Sequence, residues 1–209
     1  MDPNQAPPPE PAVTPQVRRW VIVVCVLALV GALAGIGWLA FREVRQDTED
    51  KGRISSAAAG MSFVPPEGWT ELPEEGDGDL VFGQVALQRA GAGGMILLGK
   101  LDGSMFASDQ ADDGAAACSL GSGMGEFFFP ESGMRVDKEN LDVKGRAVTG
   151  KSCFYRVQFD RSTSAQAEVY AAVVQAPDER RWWVSWLGDT ESPVDRAAAQ
   201  KLAESIRPL

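Results

Sequence analysis

Chemistry needs side chains that ionise, coordinate or attack, and this chain is sparing with them. It carries three cysteines and no histidine in 209 residues. Without histidine there is no Ser-His-Asp or Cys-His site, no imidazole metal ligand, and the commonest general base is missing. Cys25 falls in an apolar run, and Cys118 and Cys153 lie too far apart for a metal-ligand spacing. In an oxidising compartment the latter two form one disulfide; the alternative is two buried thiols packed as small hydrophobes. Asp77-Gly78-Asp79 sets two carboxylates beside a glycine but lacks the ligand spacing of a calcium loop, and it reads as a solvated turn. Gly121, Gly123 and Gly125 open no helix and no Lys-Ser/Thr pair follows them. They read as points of close packing rather than a phosphate cradle. These residues point away from an enzyme and ask for neither a metal nor a cofactor.

The elements that must position any site follow from how composition changes along the chain. Residues 1–19 hold six of the 13 prolines and are expected to be a disordered tail. Trp20 to Phe41 is apolar throughout and bounded by Arg18-Arg19 and Arg42. As a helix it reaches about 33 Å, enough for a bilayer core, and predicts a transmembrane anchor; a cleaved signal peptide is the alternative. Trp20 and Trp38 sit where interfacial aromatic rings are common. Residues 42–60 read as a juxtamembrane linker and 61–209 as one domain. The acids Asp2 and Glu10 balance Arg18 and Arg19, so the net charge of −9 belongs to the residues C-terminal to the apolar run. An acidic domain repels phosphate backbones, which excludes nucleic acid as a partner.

Within the domain, alternation predicts strands at Met61–Val64, Leu80–Leu87, Met95–Leu101, 153–160, Glu168–Gln175 and Trp182–Leu187. Ser108 is the expected N-cap of a helix whose Ala117, Leu120, Met124 and Phe127 face the core. Ser192-Pro193 is expected to open a last helix with the stripe Val194, Ala198, Leu202, Ile206. Antiparallel strands with helices laid on them make an α+β domain.

Five stretches carry a family resemblance: Ser62-Phe63 with Pro66-Glu67-Gly68-Trp69; Ile96 to Asp102; Gly121 to Phe128; Arg181-Trp182-Trp183-Val184 with Trp186-Leu187-Gly188; and Pro193-Val194-Asp195 with Ala203 to Pro208. Together they resemble the fibronectin attachment proteins, or alanine- and proline-rich secreted antigens, of mycobacteria and related actinobacteria. The resemblance spans nearly all of residues 60–209. It implies a Mog1/PsbP-like antiparallel sheet with flanking helices, outside the cell. Joined to the anchor, that gives a single-pass plasma-membrane protein with its tail in the cytoplasm and its domain extracytoplasmic.

The resemblance also implies a site. Arg181, Trp182, Trp183 and Val184 match a tetrapeptide associated in that family with fibronectin binding. Arg and Trp are frequent interface hot spots. Strand alternation puts Trp182, Val184 and Trp186 on one face and Trp183, Ser185 and Leu187 on the other, so core packing is the competing role. The expected function is thus a membrane-anchored adhesion protein whose partner is fibronectin or another extracellular protein. The alternative is a structural or accessory cell-envelope domain with an unknown envelope partner.

Overall fold

The protein was described from a computed structural model covering residues 52–72, 83–91, 93–103, 105, 107–161 and 166–209. The expected tail, the apolar run Trp20–Phe41 and the loop around Asp77 lie outside these residues. Described elements begin at β1 (Ile54–Ser56), β2 (Met61–Phe63), β3 (Trp69–Glu71), β4 (Val85–Arg89) and β5 (Met95–Lys100). Helix α1 (Asp113–Phe128) separates them from β6 (Gly133–Lys144), β7 (Thr149–Phe159), β8 (Gln166–Gln175) and β9 (Arg181–Asp189). Helix α2 (Arg196–Glu204) and β10 (Arg207–Pro208) close the chain.

Seven strands form one antiparallel sheet in the order β3-β4-β5-β9-β8-β7-β6, and β1-β2-β10 form a small second sheet. Among the described residues the fold is therefore α+β, with a mostly antiparallel sheet and two helices. Alternation along β7, β8 and β9 divides the apolar residues between two layers. On one face, Tyr155, Val169, Ala171, Val173 and Trp183 meet Ala116, Ala117, Leu120 and Met124 of α1. On the other, Phe154, Tyr170, Trp182, Val184 and Trp186 meet Met61 and Phe63 of the small sheet and Leu202 of α2. Because both faces are covered, β9 is buried continuously from Trp182 to Gly188.

Several boundaries differ from expectation. The caps are Asp112, whose carboxylate accepts from Ala115 N at 2.7 Å, and Asp195, which accepts from Ala198 N at 3.0 Å. Ser192 instead belongs to the turn after β9, its N–H donating to Asp189 Oδ1 at 2.8 Å. The stretch expected as a linker contributes β1, which pairs Ile54 with Phe63. Phe127 does not face the core and is 56% exposed. The sheet-facing stripe of α1 runs through Gly121 and Gly125, so Phe128 continues it and Phe127 is turned about 100° away.

Candidate protein-binding surface

The tetrapeptide Arg181–Val184 opens β9, between β5 and β8 at the centre of the large sheet. Trp182 is 1% exposed, and its Nε1 donates to Ala59 O at 2.8 Å beneath the small sheet. Trp183 is fully buried on the opposite face. There Gly83 and Gly99 make room for it, since a Cβ at either would stand about 3.0 Å from the Trp183 ring. Val184 is buried as well. Arg181 is held by Asp113 at 2.8 Å and by Gln110 O at 3.0 Å, both groups at the start of α1. Of the two roles expected for these four residues, the burial of Trp182, Trp183 and Val184 matches core packing. Three of them are core, and the guanidinium is taken up in tying the start of β9 to the start of α1.

Cys118 and Cys153 form a disulfide, with Cα atoms 5.1 Å apart. It ties α1 to β7 and closes a 35-residue separation. In the chain-entropy model such a loop contributes about 4 kcal/mol. Next to it, Tyr155 Oη donates to Gly121 O at 2.7 Å. Burial pushes the Tyr155 phenol up to about 12, partly opposed by Arg135, whose guanidinium lies 5.1 Å from the ring centre. Burial likewise pushes the Tyr170 phenol up on the other face. Tyr170 Oη donates to Gln200 Oε1 at 3.0 Å, so each buried ring has its hydroxyl satisfied.

The surface that the sequence did not mark lies at the C-terminal end of α1. Phe127, Phe128 and Phe129 follow one another there and lead into Pro130. Phe127 packs edge-on to Phe128 at 5.0 Å between ring centres while more than half exposed. Phe128, Phe129, Pro130 and Phe159 line a depression of about 520 Å³ whose rim carries Glu131, Asp189 and Glu191. An apolar floor with a carboxylate rim is suited to receive a basic, aromatic or aliphatic protuberance of another protein. The signal in the sequence is the run Phe127-Phe128-Phe129-Pro130 at a helix end, where a helix cannot turn all three rings inward.

Residues 53–209 match the fibronectin-attachment protein (FAP) domain. The chain belongs to that family. Among curated relatives, it is 36% identical over 177 residues to the alanine and proline-rich secreted protein Apa of Mycobacterium leprae, covering 75% of this chain and 61% of the relative. It is 37% identical to Apa of Mycobacterium tuberculosis, with 75% and 54% covered, and 33% identical to that of Mycobacterium avium, with 70% and 42% covered. The match thus spans about half the length of these FAP relatives. Among solved structures, cyanobacterial PsbP from Synechocystis is similar with a TM-score of 0.49 at 12% identity, over 75% of this chain and 91% of that one.

The FAP relatives bear on location. They are named secreted proteins, which overturns the expected single-pass plasma-membrane placement. Among the described residues no helix is long and apolar enough to cross a membrane.

Proposed function

We propose that this is a secreted, adhesion-related protein without enzymatic activity, whose FAP domain attaches to an extracellular protein, with fibronectin the partner that the family name indicates. Attachment is made through the phenylalanine-lined depression at the end of α1 and not through the side chains of Arg181–Val184. The observation that carries this reading is the exposure of Phe127 beside the depression, against the burial of Trp182, Trp183 and Val184. A large aromatic ring kept in water by a domain with two filled core layers is what an interface anchor requires.

Surface-immobilised fibronectin and the full chain test the proposal. Wild type binds, Phe127→Asp weakens binding at least tenfold, and the unfolding midpoint stays within the ordinary range for a surface change. Unchanged affinity in Phe127→Asp and in Glu191→Lys removes the depression from consideration. Absence of any fibronectin binding by wild type selects the second reading, an accessory envelope domain with a different partner. The buried tetrapeptide favours that reading to the extent that it acts as scaffold.

A further inference from the structure

The large sheet ends on two unequal edges. At one, β3 has three residues; at the other, β6 has twelve, about 40 Å of backbone. Among the described residues the one strand partner of β6 is β7. An edge of that length offers its outer N–H and C=O groups to another strand.

The ladder to β7 shows which groups those are. Asp160 N donates to Ser132 O at 3.0 Å at one end, and Gly145 N donates to Val148 O at 3.0 Å at the other. Bonded and non-bonded pairs alternate inward from both ends as far as the bulge between Val136 and Glu139. The backbones of Gly133 and Arg135, and of Asn140, Asp142 and Lys144, therefore point away from β7. Asp142 O accepts from Gln200 Nε2 at 2.9 Å and keeps a second lone pair. The bulge moves the outward set from odd to even positions. Two copies of β6 can then pair along their whole length only if odd residues of one meet even residues of the other, which sets each bulge against its copy.

The register with Arg135 opposite Asp142 of a second copy meets this condition, and the side chains agree with it. On the α1 face, Arg135 is paired with Glu126 and Asp142 with Lys151, so four charges alternate in sign across the joint. On the α2 face, Val136 comes opposite Leu141 and Met134 opposite Val143. Met134 is 63% and Leu141 45% exposed, and this pairing gives both an apolar neighbour. A slip of two residues one way would oppose Arg135 and Lys144; the other way it would oppose Val136 and Glu139. A patch whose residues complement one another in reverse order is what a two-fold interface requires.

We propose that β6 pairs antiparallel with β6 of a second copy of this chain, Arg135 opposite Asp142, about a two-fold axis at the bulge, joining two large sheets into one.

Sedimentation equilibrium of the full chain tests this. Wild type is expected as a monomer–dimer equilibrium, with amide exchange in β6 slowing as concentration rises. Leu141→Asp weakens association about tenfold, since each change acts twice across the axis. Arg135→Asp and Asp142→Arg, each alone, set like charges opposite one another and weaken it by about the same factor. Mixed in equal amounts these two variants associate again, because their facing positions then carry opposite charges. All three side chains are exposed, so the urea midpoints stay close to wild type, and the exchange measurement needs no variant. A wild type that stays monomeric at every concentration overturns the proposal. So does a dimer that survives the substitutions, or a mixture of the two charge variants that associates no better than either alone.

Discussion

Replacing Trp182 separates a packing role from a contact role. Its ring is 1% exposed between the large sheet, the small sheet and α2, and its Nε1 is the donor to Ala59 O. Trp182→Ala removes a large buried ring, which costs about 3–5 kcal/mol. It also orphans a buried carbonyl, adding about 1 kcal/mol or more. For a domain of this size each kcal/mol lowers the melting temperature by roughly 2–4 °C, so a fall of about 8–24 °C is expected. Trp182→Phe loses the hydrogen bond and part of the volume and should cost about 1–3 kcal/mol. The assay is urea unfolding followed by circular dichroism, with fibronectin binding measured on the same samples below the transition. Binding per folded molecule should be unchanged in Trp182→Phe. A Trp182→Ala protein with wild-type midpoint and lost binding would refute the reasoning, because only an exposed contact residue behaves that way.

Three further outcomes are expected. Cys118→Ser/Cys153→Ser should unfold about 2–4 kcal/mol more easily, read as a lower urea midpoint, and wild type treated with reductant should match it. Gly125→Ala should destabilise in spite of alanine's better helix propensity, because the new Cβ meets Tyr155 Oη; about 1–3 kcal/mol of overpacking outweighs a gain of up to about 1 kcal/mol, and Tyr155→Phe in the same chain should recover part of the loss. Alkaline stability should fall between pH 10 and 12. The folded Tyr155 phenol holds its proton up to about 12 while the unfolded one releases it near 10, so the contribution is complete below pH 10 and is lost as pH rises through 12. Tyr170, also raised by burial, acts in the same direction, and Tyr155→Phe should flatten part of the profile.

Where one layer of packing meets each face, the sequence was legible. Tyr155 and Val157 alternate with Arg156 and Gln158 and, with Cys153, lie on the α1 face of β7, as their spacing requires. Ala117, Leu120 and Met124 face the core at helical spacing, and Gly121 and Gly125 are the close-packing points against Tyr155, Val169 and Ala171. Strand β6 was missed, and physics gives the reason. It is an edge strand, most of its residues are exposed, and a bulge falls between Val136 and Glu139, so no period of two in hydrophobicity survives. Strand β1 is three residues of Ile-Ser-Ser and exists through its pairing with β2 rather than through propensity. At Arg181–Val184 contact and core packing both stayed open, because alternation alone does not say whether one face or two are covered. In β9 both are, and the one polar side chain within its buried run, Ser185, is small enough to sit inside.

Hydrogen exchange with and without fibronectin tests the central claim most directly. Peptides covering Arg181–Val184 should exchange slowly in the free protein and stay unchanged on binding, while new protection arises at Phe127–Glu131. Fast exchange at Arg181–Val184 that slows when fibronectin is added, with Phe127–Glu131 unaffected, would contradict the account.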